Sequence, residues 1–142
     1  MSAQGLEVLE KSLQATHEWI NDLAERLDTP DRRAALRLLR AVLHALRDRV
    51  SHEEAAHLAA QLPIVLRGMF YENWRPSRTP VEDRGRDAFL AEISRLYDAG
   101  PEFPLESDVE EVFRLLNLRV SAGEVADIRG ALPADLRALW PE

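Results

Sequence analysis

Four groups of residues in this chain combine types and spacings that can do chemistry. The first is Glu54-Ala-Ala-His57, with a carboxylate and an imidazole three positions apart. On a helix that places both on one face, the Glu-x-x-His spacing used by carboxylate-bridged di-iron bundles. Such a site needs a second pair and two further inward glutamates. Glu124-Val-Ala-Asp127 offers a partner with oxygen ligands only. The second group is a basic stripe, Arg33, Arg37, Arg40, His44 and Arg47, stepping by four and three. At 100° per residue these fall within about 80° of arc, a surface able to meet phosphates or another anion. The same stripe can instead pair with acidic side chains of the chain itself, such as Glu18, Asp22 and Glu25, or simply face water.

The third group is Arg49, Arg67, Arg119 and Arg137. These fit ion pairs or bonds to helix-end carbonyls; a pair of anion sites is the sharper alternative. The fourth is Phe70, Tyr71 and Trp74 with Arg75 and Arg78, residue types enriched at binding hot spots. The competing expectation is that the rings plug a seam between two halves of the molecule. Ring inward and arginine outward satisfies both.

Much chemistry is excluded. The chain has no cysteine, which removes disulfides, thiolate catalysis, Cys-zinc sites and iron–sulfur clusters. It lacks a Gly-rich phosphate loop, a Gly-x-Ser-x-Gly elbow and a His-Glu-x-x-His pair. Ser12, Ser51, Ser94 and Ser121 have no base readable beside them. No catalytic residue, metal or cofactor is expected.

The elements that must position these groups read as helices. Of 142 residues, 46% are hydrophobic and 30% charged, with only 6 glycines. That composition supports a packed all-α chain. Leu9, Leu13, Thr16, Ile20, Leu23 and Leu27 form one stripe of a first helix. Asp28-Thr-Pro-Asp31 ends it, with Thr29 expected to cap a second helix over about 31–48 and Pro30 in its first turn. Ala35, Leu39, Val42, Leu43 and Leu46 share the apolar face of that helix. Ser51-His-Glu-Glu54 then reads as a capping box, in which the glutamate reaches back to the serine N–H. Leu62-Pro63 breaks one short helix and starts another.

This pattern recurs 70 residues on. Leu46, Arg49, Val50, Ser51, Glu54, Ala56, Leu62, Pro63, Leu66 and Arg67 reappear at Leu116, Arg119, Val120, Ser121, Glu124, Ala126, Leu132, Pro133, Leu136 and Arg137. The same shift carries Trp19, Ile20, Leu23 and Leu27 onto Phe89, Leu90, Ile93 and Tyr97. One ungapped offset over more than fifty positions points to an internal duplication. The expected organisation is a single compact helical bundle of two four-helix copies: copy one 1–70, connector 71–83, copy two 84–142. Ser51, Glu54 and their counterparts are thereby assigned to helix caps. The arginine stripe is not repeated: Phe103, Ser107, Glu110, Arg114 and Asn117 stand at the equivalent positions.

Ala41-Val-Leu-His-Ala-Leu-Arg-Asp-Arg-Val50, Glu53-Glu-Ala-Ala-His-Leu-Ala-Ala-Gln-Leu-Pro63 and Leu66-Arg-Gly-Met-Phe-Tyr-Glu-Asn-Trp-Arg-Pro76 resemble a bacterial family, domain of unknown function number 2267. Ala131-Leu-Pro-Ala-Asp-Leu-Arg-Ala-Leu-Trp140 is similar to its C-terminal signature. The likeness runs from about Leu9 to Trp140. It implies a small helical cytoplasmic protein and carries over no activity.

The net charge is −7, nearly all of it in the second half, where residues 71–142 carry −6 against −1 for 1–70. This disfavours nucleic acid as the main partner. No signal peptide and no membrane-length apolar run is read, so the cytoplasm is the expected compartment and a membrane is not an expected partner. The expected role is a non-enzymatic protein-interaction or regulatory module, binding a protein partner or a second copy. It would act through Tyr71, Trp74, Arg75 and Arg78, with Arg33, Arg37, Arg40, His44 and Arg47. The alternative is a small-ligand or anion-binding module with a pocket between the copies. Nucleic-acid binding through the arginine stripe ranks last.

Overall fold

The computed structural model describes residues 3–97 and 105–142, with side chains from residue 6 onward. All secondary structure among the described residues is helical: α1 (Ala3–Arg26), α2 (Arg32–Arg47), α3 (His52–Ala60), α4 (Ile64–Phe70), a 3-10 turn (Pro76–Arg78), α5 (Arg86–Tyr97), α6 (Leu105–Arg119), α7 (Ala122–Ala131) and α8 (Ala134–Arg137). No described helix is long and apolar enough to cross a membrane. Phe103, one of the positions equivalent to the arginine stripe, lies outside the described residues.

α2 forms the centre because its apolar face is nearly continuous. Ala35, Leu38, Leu39, Ala41, Val42, Leu43, Ala45 and Leu46 are all buried. It packs against α1, α4, α5 and α6. α1 packs on α2, α4 and α6, while α5 packs on α6, α8 and α2. α3 and α7 meet each other directly. Phe89, Phe113 and Trp140 fill one side of the core, with the Phe113 and Trp140 rings stacked at 4.3 Å. The indole N–H of Trp140 is not stranded there: it donates to Asn117 Oδ1 at 2.7 Å.

The helix ends follow local chemistry, with three differences from the sequence expectation. The cap of α2 is Asp31, whose carboxylate accepts from the N–H groups of Arg33 and Ala34 at 3.0 and 3.1 Å. Thr29 instead accepts the Asp31 N–H, so the helix starts after Asp31 and not at Pro30. The preceding residue, Asp28, takes a left-handed φ of 54°, which lets Thr29 N–H close on Ala24 O and end α1.

The stripe of α1 also begins later than its periodicity predicts. Trp19, Ile20 and Leu23 are buried, but Leu9 and Leu13 remain 57% and 48% exposed. Periodicity tells which residues share a face; it does not tell where along the helix the packing partners stop. The buried position in this first part is Ser12, whose hydroxyl accepts the Val65 N–H from α4.

The third difference concerns the two capping boxes. Ser51 and Ser121 do accept the N–H groups of Glu54 and Glu124, at 3.1 and 3.2 Å. The reciprocal half is missing among the described hydrogen bonds. Ser121 N–H goes to Gln61 Oε1 of the other half, and both glutamates keep a buried carboxylate oxygen that no backbone or basic donor reaches. The α3–α7 contact draws the two carboxyl groups toward each other and away from their own backbones.

Candidate functional site

The basic stripe of α2 divides into two parts with different surroundings. At its C-terminal end, Arg47 is only 3% exposed. Its guanidinium donates to Phe70 O and Glu72 O, both at 2.7 Å, and pairs with Asp48 at 2.8 Å. Phe70 closes α4, so the bond satisfies a carbonyl the helix itself leaves open. One turn earlier, the His44 Nε2–H donates to Met69 O at 2.6 Å. Burial pulls the His44 pKa below its ordinary value, and the charges of Arg47 and Arg40 add to that shift. The Met69 bond and Glu72 oppose it. A further turn back, Arg40 pairs with Glu72 at 2.7 Å. Arg40, His44 and Arg47 therefore hold the end of α4 and the start of the connector in place. At the N-terminal end, Arg33 and Arg37 are exposed and have no carboxylate partner among the described residues.

The connector is anchored mainly on α2 and α3. Its hydrogen bonds return to the first half: Val81 N–H reaches Asp48 O, and His52 Nε2–H reaches Thr79 O, both at 2.9 Å. It folds over the junction of α2 and α3 because that junction exposes helix-end carbonyls and the His52 ring. Tyr71 and Trp74 are half-buried and pack against the core. The Trp74 ring meets the edge of His52 at 5.6 Å and lies 5.5 Å from Tyr71. Asn73 between them adopts a left-handed φ of 59°, which turns the chain tightly enough for both rings to face inward. Arg75 and Arg78 point to solvent, and neither has a carboxylate partner among the described residues.

These two parts meet at an open cleft of about 240 Å³ lined by Arg37, Arg40, Ala41, His44, Asn73 and Leu96. It joins one exposed guanidinium, one paired guanidinium and one fixed imidazole. The arrangement can receive a carboxylate or a phosphate. Periodicity found the stripe, but it carried no sign that the connector would consume half of it.

The other repeated arginines are engaged inside the molecule. Arg67 donates to the carbonyls of Ala59, Ala60 and Leu62 at the end of α3. Arg137 does the same for Arg129 and Leu132 at the end of α7. Arg119 pairs with Asp22 across α6 and α1 at 3.2 Å. Arg49 is buried over the Phe89 ring, and burial pulls its pKa down against the opposing charges of Glu92, Asp48 and Asp83.

At the α3–α7 junction, one donor atom each from Glu54, His57 and Glu124 lies within 4.8 Å of the others. Glu124 is buried and its pKa is pushed up to about 8. Burial is the main cause, followed by its hydrogen bond to Glu54 and the charges of Glu54 and Asp127. The sequence offers Glu124-Val-Ala-Asp127 as a partner to Glu54-Ala-Ala-His57 but favours helix caps for both glutamates; the structure gives them the cap and the pairing together. The signal was present in Glu-x-x-His and Glu-x-x-Asp at equivalent positions.

No curated protein matches the chain in a sequence comparison. Residues 16–139 match the model of a family described as an uncharacterized conserved protein, DUF2267, and with most of its length covered the chain belongs to that family.

Proposed function

We propose that the chain is a non-enzymatic binding module that docks an acidic surface of a partner protein on the face shared by α2 and the connector. One observation carries this reading. Arg33, Arg37, Arg75 and Arg78 are exposed with no carboxylate partner among the described residues, in a chain of net charge −7. An acidic chain holding exposed guanidinium groups on the N-terminal part of α2 and on the aromatic connector, with Arg37 and Asn73 lining one cleft between them, has a surface suited to recognition. Trp74 and Tyr71 supply rigidity there, and Arg40, His44 and Arg47 hold the platform.

The test is a capture experiment with tagged protein in native extract, comparing wild type with Trp74→Ala plus Arg75→Ala. The prey retained by wild type should be lost from the variant. Identical prey would reject the connector as the docking surface. A second reading, an anionic small ligand, is favoured by the convergence of Arg37, Arg40 and His44 on one cleft. Saturable binding of inorganic phosphate abolished by Arg37→Ala would support it. Nucleic acid ranks below both, because the net charge opposes it; salt-sensitive retention on heparin would raise it.

The proposal includes an origin for this face. We infer that the chain is a duplication of one helical unit within a single domain. The helix contacts support it: exchanging α1 with α5, α2 with α6 and α4 with α8 turns α1–α6 into α2–α5 and α1–α4 into α5–α8. The Asp22–Arg119 pair likewise turns into Glu92 beside Arg49. Binding then resides in what the copies do not share.

A further inference from the structure

The α3–α7 junction holds side chains whose chemistry is incomplete. Glu124 is 8% exposed, and its Oε1 is buried with no hydrogen-bond donor. Glu54 Oε1, facing it, is in the same condition. A buried carboxylate oxygen without a partner costs about 1–3 kcal/mol, more when ionised. Here the two carboxyls meet only each other, a contact that a shared proton satisfies in the metal-free protein and that a divalent cation satisfies by replacing that proton. No arginine or lysine among the described residues donates to either carboxylate; Arg67 and Arg137, on the helices that follow α3 and α7, donate to carbonyls at the far ends of those helices. The third side chain, His57, is half exposed, and its Nε2 lies 4.0 Å from a carboxylate oxygen of Glu53.

From these observations we propose that Glu54, His57 and Glu124 form a binding site for a first-row divalent cation, with zinc as the fitting ion. The three donor atoms lie within 4.8 Å of one another. Some point is then within about 2.8 Å of all three, against roughly 2.0–2.2 Å for zinc–nitrogen and zinc–oxygen bonds. A small rotation of the exposed His57 ring and the glutamate side chains closes the difference. The donor set selects the metal class. One imidazole with two carboxylates suits Zn²⁺, Fe²⁺ or Mn²⁺ better than Mg²⁺ or Ca²⁺, which take oxygen ligands in larger number. Three protein ligands leave a fourth position for water.

The site is built by the fold. Ser51 and Ser121 cap the two helices and fix the first turn of each, from which Glu54 and Glu124 project. The helices then pack on each other, so each glutamate meets its counterpart. Asp127, one turn beyond Glu124 and equivalent to His57, adds a fourth acidic or basic group at the edge. The negative charge of Glu53 and Asp127 further favours a cation. None of these residues belongs to the basic face of α2, so the two proposals stand or fall apart.

The test uses full-length protein stripped with chelator and dialysed against micromolar Zn²⁺, with bound metal counted by atomic emission and melting followed in parallel. Wild type should retain one Zn²⁺ per chain and melt higher with the metal, as ligand linkage requires. Glu124→Gln keeps the shape of the side chain, and His57→Ala alters an exposed position, so both variants should fold. Each should weaken zinc binding by at least the ~10-fold that loss of an outer-shell partner costs, and each should lose the metal-dependent rise in melting temperature. His17→Ala, on α1 away from this junction, should bind as wild type does. No stoichiometric zinc in the wild type would overturn the proposal. So would retention by either variant, which would place the ion elsewhere.

Discussion

Glu124 shows how one side chain can carry two assignments. Its backbone N–H belongs to a helix cap, while its carboxyl belongs to a contact between two helices. The cap was legible because Ser-x-x-Glu is a local pattern. The carboxyl contact was legible only as a possible pairing of Glu54-x-x-His57 with Glu124-x-x-Asp127, because making it depends on two segments 70 residues apart packing face to face. Its raised pKa gives a pH dependence with a definite sign. A carboxyl held at about 8 when folded and near 4.5 when unfolded keeps its proton in the native state while the unfolded chain has lost it. Native metal-free protein thus binds more protons between these values, and stability falls as pH rises through that window. Unfolding in chelator should show wild type weakening from pH 5 to pH 8. Glu124→Gln should remove most of that slope and be the more stable of the two at pH 8. A wild-type curve as flat as the variant's would contradict the shared-proton geometry.

Arg47 gives the second residue-scale expectation. It is buried, and it satisfies two carbonyls and a carboxylate. Arg47→Ala strands those acceptors and should cost about 2–3 kcal/mol in urea unfolding. Arg33→Ala removes an exposed side chain and should change stability by less than about 0.5 kcal/mol. Sequence spacing places both on one stripe; only packing separates them.

Among the elements, the shorter helices were the most legible. Ser-x-x-Glu and Leu-Pro mark the ends of α3 and α7 chemically, and both helices begin where those signals stand. α1 was less legible, since a repeating apolar stripe continues past the point where α1 has anything to pack against. The connector was the least legible. Its aromatic residues are half-buried, and its anchoring on α2 and α3 depends on His44, Arg47 and His52, which no local pattern links to it. The equivalent serine caps allow a matched test. Ser51→Ala and Ser121→Ala should each lower stability by about 1 kcal/mol, the ordinary loss for an N-cap, as measured by thermal unfolding. A large inequality would mean that the two helices start under different constraints.

Across the whole molecule, an all-helical core surrounds α2, and the polar residues found in both halves are largely engaged within it. Arg67 and Arg137 close helix ends, Arg119 ties α6 to α1, and Arg49 lies under Phe89. On the proposed reading, recognition falls to the exposed residues peculiar to one half, Arg33, Arg37, Arg75 and Arg78, and not to Arg40, His44 and Arg47, which are engaged within the chain. That division was partly legible in the 70-residue offset, which separates shared from unshared positions without revealing their contacts.

A single combined variant separates recognition from stability. Arg33, Arg37, Arg75 and Arg78 are all replaced by alanine. The variant's urea unfolding and its retention of the partner captured by wild type are then read on the same preparation. Unfolding within about 1 kcal/mol of wild type is expected, as for exposed positions, together with loss of the captured partner. A variant that holds the partner as well as wild type does, or that unfolds several kcal/mol more easily, would contradict that division.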